Sequence, residues 1–440
     1  MHPGLFVVRS KICNFGTMNK LWTLCLLLLA LAGSLSGGEI FPHHIYTTEV
    51  QTLQCQVWRD GEPIAIPYPI ARLASSDEEI VVSFDLEDPI PHRIHYLLEL
   101  CDADWQVNDR MALSEYLDGW IGTRWQTDES SPSEATSVAY RHYELRLGGA
   151  SVLQPLLSGN YRLSAWCEEL QEEPIFVTSF ALYEPLADVA QQVVPTTPEG
   201  NYSRFQQVEL ELTFPPTLTT DPLTELLVTV GQNGSSTRYQ RLTRPTSLAP
   251  GRLTFRGHDG ATFAAGNEWR AYEILSPYEA NMGVEHLNSQ ETPSKADLYL
   301  DHPTNGSYIT TPDANGYRKV RQTDYDPYYD ENMTDYYLVT WRLALEDPLR
   351  YGTPFIEGAA FDALPKEQRT LRYNRETGYF ELSLLVKGGY VSYRYSTSPS
   401  PAPLASNAIE GDYYQTENQY TTLVYLSSPM LRYQKLVAVE

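Results

Sequence analysis

Residues 140–147 read YRHYELRL, and residues 158–166 read SGNYRLSAW. In the first stretch Tyr143, Leu145 and Leu147 share one side of an extended chain. Successive side chains of a strand point to opposite faces, so this two-residue period fits a half-buried strand rather than a helix. The second stretch reads as a tight turn at Gly159 and Asn160 that feeds a strand over 161–166. The same pattern recurs outward in both directions: IVVSF at 80–84, RIHYLLEL at 93–100, VELELTF at 208–214, then 224–230, 252–255, 336–343, 379–386, 390–395 and 420–426. Gly and Pro separate these runs at intervals of roughly 8–20 residues. Tyr, present 31 times, suits a pleated, half-buried surface. The expected fold class is all-β, with several Ig-like or early-set β-sandwich domains in tandem. Helical periodicity is scarce: 111–117 fits one helical turn, and 185–193 fits a short helix or a linker.

Residues 21–32 read LWTLCLLLLALA, with Arg9, Lys11 and Lys20 before them and Gly33, Ser34, Ser36, Gly37 and Gly38 after. A basic start, a short apolar centre and a small-residue exit are the parts of a secretory signal peptide. The run falls short of the roughly 20 apolar residues a membrane-spanning helix needs. Residues 1–38 are expected to be a cleaved leader, with Met18 an alternative start. Cys25 follows Leu24 inside the run, which does not fit a lipid-attachment site. Roughly 400 residues follow, too many for one core. Composition divides them into an N-terminal sandwich at 39–187, a second at 188–300, an acidic Tyr/Pro-rich linker or loop at 301–335, and a C-terminal early-set-like sandwich at 336–440.

The net charge is −24, and the leader's charges are all positive, so the mature chain is more acidic still. That disfavours nucleic acid and anionic lipid as partners. No later run is apolar enough for a helix to enter a bilayer, so no direct membrane insertion is expected. Cys55, Cys101 and Cys167 remain after the leader. Either one disulfide of unassigned pairing or three buried thiols fits this odd count.

Motifs for catalysis are missing: there is no GxSxG elbow, HExxH, phosphate loop or GxGxxG after a strand. His43 and His44 are adjacent, and His92 and His95 are three apart; neither spacing puts two imidazoles on one strand face. Asp102 and Asp104 are two apart, but carboxylates just after a strand more often accept backbone N–H groups of a turn. The acidic run at 324–337 lacks the ligand spacing and glycine turn of a calcium loop. Trp58, Trp105, Trp120, Trp125, Trp166, Trp269 and Trp341 fit core filling better than sugar stacking. No catalytic residue, cofactor or metal site is assigned, and the chain is expected not to be an enzyme.

An ordered series of motifs runs along the chain. CDADW at 101–105 contributes Cys101, Asp102, Asp104 and Trp105, and EYLDG at 115–119 contributes Tyr116, Asp118 and Gly119. SGNY at 158–161 contributes Ser158, Gly159, Asn160 and Tyr161, and QN at 232–233 contributes Asn233. FAAGNEWRAYE at 263–273 carries Asn267, Glu268 and Arg270, and LRYN at 371–374 carries Tyr373 and Asn374. GYFELSLLVKGGYVSYRY at 378–395 carries Gly388 and Tyr390, and EGDYYQTENQYTTLVY at 410–425 carries Glu417, Asn418 and Tyr420. In this order and spacing the chain resembles the plug protein family of the Bacteroidetes type IX secretion system. The resemblance implies a periplasmic protein, peripheral to the outer membrane and monomeric outside its complex. Such a protein docks on the large outer-membrane translocon β-barrel and seals it without catalysis. The motif residues are then structural or interface positions. Two departures stand out: Leu100 where the family motif has His, and Ala363 where a glycogen-binding early-set module has an aromatic. The competing reading is a periplasmic or surface glycan-binding protein built of sandwiches.

Overall fold

Alternation of apolar and polar residues decides which side chains face inward. The computed structural model describes residues 39–119, 125–127, 130–195, 203–323, 331–346, 351–398 and 408–440. The leader expected at 1–38 and the first half of the acidic run at 324–337, residues 324–330, lie outside these residues. Ile40–Glu440 form one unit, built almost wholly from antiparallel sheets packed face to face.

In the first sandwich, one sheet runs His44–Ile45, Phe176–Tyr183, Gly159–Trp166, Ile94–Cys101, Trp125–Thr127, with Ile70–Arg72 added in parallel to Phe176–Tyr183. The facing sheet runs Glu62–Pro63, Val50–Arg59, Glu78–Leu86, Arg141–Gly148, Ser131–Pro132. Tyr143, Leu145 and Leu147 point into the core against Tyr96, Leu98, Tyr161 and Leu163. Glu144 and Arg146, on the opposite side of the same strand, pair with each other at the surface. The helical turn at Leu113–Tyr116 sits where helical spacing was expected.

Asp188–Val194, Phe205–Thr213, Arg252–Phe255 and Ser247–Ala249 form one sheet of the second sandwich, and Ala261–Ala264 also pairs with Phe205–Thr213. Its partner sheet runs Tyr239–Leu242, Leu226–Gln232, Tyr420–Leu426, Lys435–Val439. The third sandwich sets Arg270–Ile274, Gly389–Ser398 and Arg318–Val320, plus Thr353–Glu357, against Val284–Asn288, Ser294–Leu298, Tyr336–Leu343, Phe380–Lys387 and Arg372–Tyr373. Trp341, fully buried, is the centre of that core.

The all-β sandwich reading holds, but the linear division of the chain does not. The last two strands, Tyr420–Leu426 and Lys435–Val439, complete the second sandwich rather than a C-terminal one, because Tyr420–Leu426 pairs with Leu226–Gln232. The third sandwich is therefore inserted into the second. The linker expected at 301–335 supplies strand Arg318–Val320 to the third sandwich, paired with Gly389–Ser398. Residues 188–194 form an edge strand rather than a helix. Local pattern identifies a strand but not its partner, which sits some 190 residues away in sequence. Among the described residues no helix is long and apolar enough to cross a membrane.

Candidate functional site

Phe176–Tyr183 and Tyr420–Leu426 are among the strands buried on both faces. A strand covered on one side only would alternate, so each must pack against a second body. Ala181 of the first and Leu423 and Tyr425 of the second meet in one apolar cluster. This cluster of Ile40, Phe41, Tyr68, Ala103, Trp105, Ala181, Leu423, Tyr425 and Leu436 fills the joint between the first and second sandwiches. The CDADW motif enters this joint. Asp102 Oδ1 accepts the backbone N–H groups of Asp104 and Gln106 at 2.9 and 3.0 Å, fixing a tight turn. That turn drives Trp105, with φ +60°, against Phe41 at 4.4 Å between ring centres. Asn160 Nδ2 donates to Asp102 O at 2.8 Å, and Tyr425 Oη donates to Asn160 Oδ1 at 3.0 Å, so one buried amide bridges both bodies. Asp104 reaches Arg241 of the second sandwich at 2.8 Å.

Gly159 and Asn160 belong to strand Gly159–Trp166 and make no turn ahead of it. Gly159 has φ +145°, and a Cβ there would meet Gln434 O of the second sandwich at 3.2 Å. Close approach of a neighbouring backbone explains the glycine better than a turn does. Ser158 Oγ donates to Glu184, which in turn pairs with Lys435. Asn233 and Gly234, both at positive φ, form a hairpin turn closed by Ser235 N–H on Gln232 O. This turn presses on the first sandwich: a Cβ on Gly234 would lie 2.3 Å from Pro67 O, and Tyr68 Oη donates to Ser235 O.

A second group of motif residues holds the two crossings between the second and third sandwiches. Asn418 Nδ2 donates to Ala265 O and Gln206 Oε1, and its Oδ1 accepts from Asn233 Nδ2. Tyr420 Oη donates to the same Gln206 oxygen. Asn267 Nδ2 donates to Glu410 O at 2.9 Å. Arg270 is clamped between Glu410 and Asp301, at 2.9 and 2.7 Å. Burial opposes the Arg270 charge, but the two carboxylates outweigh it and raise its pKa well above the usual value. Glu268 accepts from Tyr308 Oη and from the Glu417 N–H.

A third joint, between the first and third sandwiches, escaped the sequence reading. Lys387 Nζ lies 2.7 Å from Asp85 Oδ2, and neither side chain has any exposed surface. The Asp85 carboxylate also accepts from Tyr336 Oη at 2.6 Å and contacts His142 Nδ1 at 2.7 Å. The Lys387 ammonium sits 4.5 Å from the Tyr140 ring centre. Burial pushes the Asp85 carboxyl up, but Lys387 and His142 overcome this and hold it below its usual range. Burial pulls His142 down, yet the Asp85 hydrogen bond and charge leave it raised. Burial raises the nearby Glu331, which accepts from Gln54 Nε2. The signal in the sequence was a lone Asp in an apolar strand, with nothing to name its partner.

The remaining motif residues are internal to single sandwiches. Tyr116 Oη donates to Leu98 O, and Tyr161 Oη to Leu157 O. Asp118 pairs with Gln154, and Gly119 at φ +80° would place a Cβ 2.0 Å from Val152 O. Tyr373 and Asn374 lie at a turn of the third sandwich, where Asn374 Nδ2 donates to Glu381. Gly388 N–H donates to Asp335 O, and Tyr390 pairs with Glu273 and Lys319. Cys101 is buried beside Asn160. Among the described residues Cys55, Cys101 and Cys167 are free thiols, and burial pushes them up, to about 12 for Cys55 and Cys101 and about 11 for Cys167. Chemically, these joints resist hinge motion. Asp102 is engaged by backbone N–H groups and Asp104 by Arg241, an arrangement that fixes a loop.

Residues 50–184 match the family model described as the type 9 secretion system plug protein 1st domain. This supports the plug-family resemblance. The crystal structure of a hypothetical protein from Parabacteroides merdae ATCC 43184 is similar to this chain with a TM-score of 0.81. That likeness has 28% sequence identity and covers 91% of this chain and 98% of that one. No curated protein matches the chain.

Proposed function

We propose that this chain, whose residues 50–184 match the first domain of type 9 secretion system plug proteins, is a non-enzymatic plug. It works in the periplasm, docks on the outer-membrane translocon barrel from the inner side and seals it. The observation that carries this reading, beside the family match, is the placing of the motif residues. Asp102, Trp105, Asn160, Asn233, Asn267, Arg270 and Asn418 sit at the joints where the sandwiches lock together. A string of hinged modules would leave a wide channel leaky, whereas a body with fixed joints keeps one shape against it. Tyr, Trp and Arg are favoured over Lys in protein interfaces, and only five Lys follow the expected leader.

The test is affinity purification of the tagged protein from detergent-solubilised envelopes. The plug reading expects a stoichiometric large barrel to co-purify. Recovery of no barrel, together with saturable retention on a defined polysaccharide, would transfer the protein to the glycan-binding class. Replacing Asp102 and Asp104 by Asn changes nothing in that assay unless the turn held by Asp102 or the Asp104–Arg241 contact is lost.

A further inference from the structure

Away from the joints, one end of the first sandwich gathers three metal-ligating side chains of different chemistry. His92 lies in the loop before strand Ile94–Cys101, and Cys167 and Glu169 lie in the turn after Gly159–Trp166. These strands are neighbours, with Trp166 opposite His95, so loop and turn meet at one edge. A ring nitrogen of His92, Cys167 Sγ and a Glu169 carboxylate oxygen all lie within 4.8 Å of one another. The Sγ to Oε2 distance is 3.4 Å.

The frame around them is rigid. Buried Tyr143 holds the His92 backbone from both sides: its Oη accepts the His92 N–H at 2.8 Å and donates to His92 O at 3.3 Å. Cys167 O accepts from the N–H groups of Leu170 and Gln171, each at 3.1 Å, which sets the turn. Asp88 Oδ2 lies 2.9 Å from His92 Nε2, and its Oδ1 accepts the Ile90 N–H at 2.8 Å. A carboxylate on the imidazole is the support that metal-ligating histidines usually carry. Cys167 is fully buried and Glu169 is exposed, so one side of the cluster opens to solvent.

We propose that His92, Cys167 and Glu169 form a binding site for a divalent zinc-type ion. Nitrogen, sulfur and oxygen from three side chains, with water as the fourth ligand, is a donor set zinc accepts. The thiolate disfavours magnesium and calcium, which take oxygen ligands. On binding, the Cys167 thiol proton passes to solvent and the sulfur–metal bond takes its place. The inference does not depend on the plug reading, since it uses only the first sandwich.

Cobalt(II) titration of the metal-free full chain tests it. The expected result is a near-ultraviolet thiolate-to-cobalt absorption band that saturates at one ion per chain and is displaced by zinc. Cys167→Ser should abolish the band. Glu169→Gln, on an exposed side chain that leaves the core untouched, should weaken binding by about 10-fold or more. No band, or a band undiminished in Cys167→Ser, overturns the proposal. Should Cys167→Ser fail to fold, Glu169→Gln and His92→Gln decide: unchanged cobalt affinity in both overturns it, and weakened affinity in both supports it.

Discussion

Replacing Lys387 by Met should cost the protein about 3–5 kcal/mol, the usual penalty for stranding one member of a buried ion pair. Lys387 Nζ and Asp85 Oδ2 are 2.7 Å apart with no exposed side-chain surface. At an effective dielectric near 20 their attraction is about 6 kcal/mol. Removing two charges from water costs several kcal/mol each, so the pair as a whole contributes little net stability. Methionine fills the space but leaves the Asp85 charge with only Tyr336 and His142 as partners. Adding Asp85→Asn should recover part of the loss, because the neutral amide oxygen still accepts while no buried charge remains. We expect the double variant to lie about 2 kcal/mol above the single one, the coupling typical of a shared network. Urea unfolding followed by tryptophan fluorescence gives the energies. Amide exchange in Glu78–Leu86 and Phe380–Lys387 shows whether the first–third joint is the part that opens. A single variant within about 1 kcal/mol of wild type would refute the reasoning.

The same cluster predicts a pH profile. Asp85 is held below its unfolded pKa of about 3.9, so its contribution is full above that pH and is lost as pH falls through the lowered value. His142 is raised above about 6.5, so its contribution is full below that pH and is lost as pH rises through the raised value. Melting temperature should therefore peak between about pH 4 and pH 6.5, with the alkaline slope reduced in His142→Gln; a slope unchanged by that variant contradicts the assignment. Gly159→Val should destabilise by about 1–3 kcal/mol, since φ +145° and the Gln434 carbonyl leave a side chain no relaxed place; an unchanged denaturation midpoint would show otherwise. Trp105→Ala should cost about 3–5 kcal/mol and speed proteolysis in the loop that follows strand Ile94–Cys101; a loss under about 1 kcal/mol would mean the joint tolerates a cavity there.

Where the sequence carried a period of two, the structure followed it: Tyr143, Leu145 and Leu147 are buried as their spacing requires. Sheet membership was not legible, because strand Tyr420–Leu426 looks the same whether its partner is adjacent or far away in the chain. Its continuous burial shows that it is covered on both faces, but YTTLVYL, with Thr421 and Thr422 inside it, does not announce that burial in sequence. Asp102 read correctly as a turn residue, since an Asx side chain just past a strand has few other uses. Gly159 did not, because a glycine required by a neighbouring backbone is indistinguishable in sequence from one required by a turn. Asp85 and Lys387 are separated by 302 positions, and only the insertion of the third sandwich brings them together.

Outer-membrane permeability tests the plug claim most directly. Cells lacking this protein but retaining the translocon barrel should admit a large antibiotic or dye that wild-type cells exclude, and supplying the intact protein should restore exclusion. Equal uptake with and without the protein, with the barrel present at wild-type level, would contradict the account.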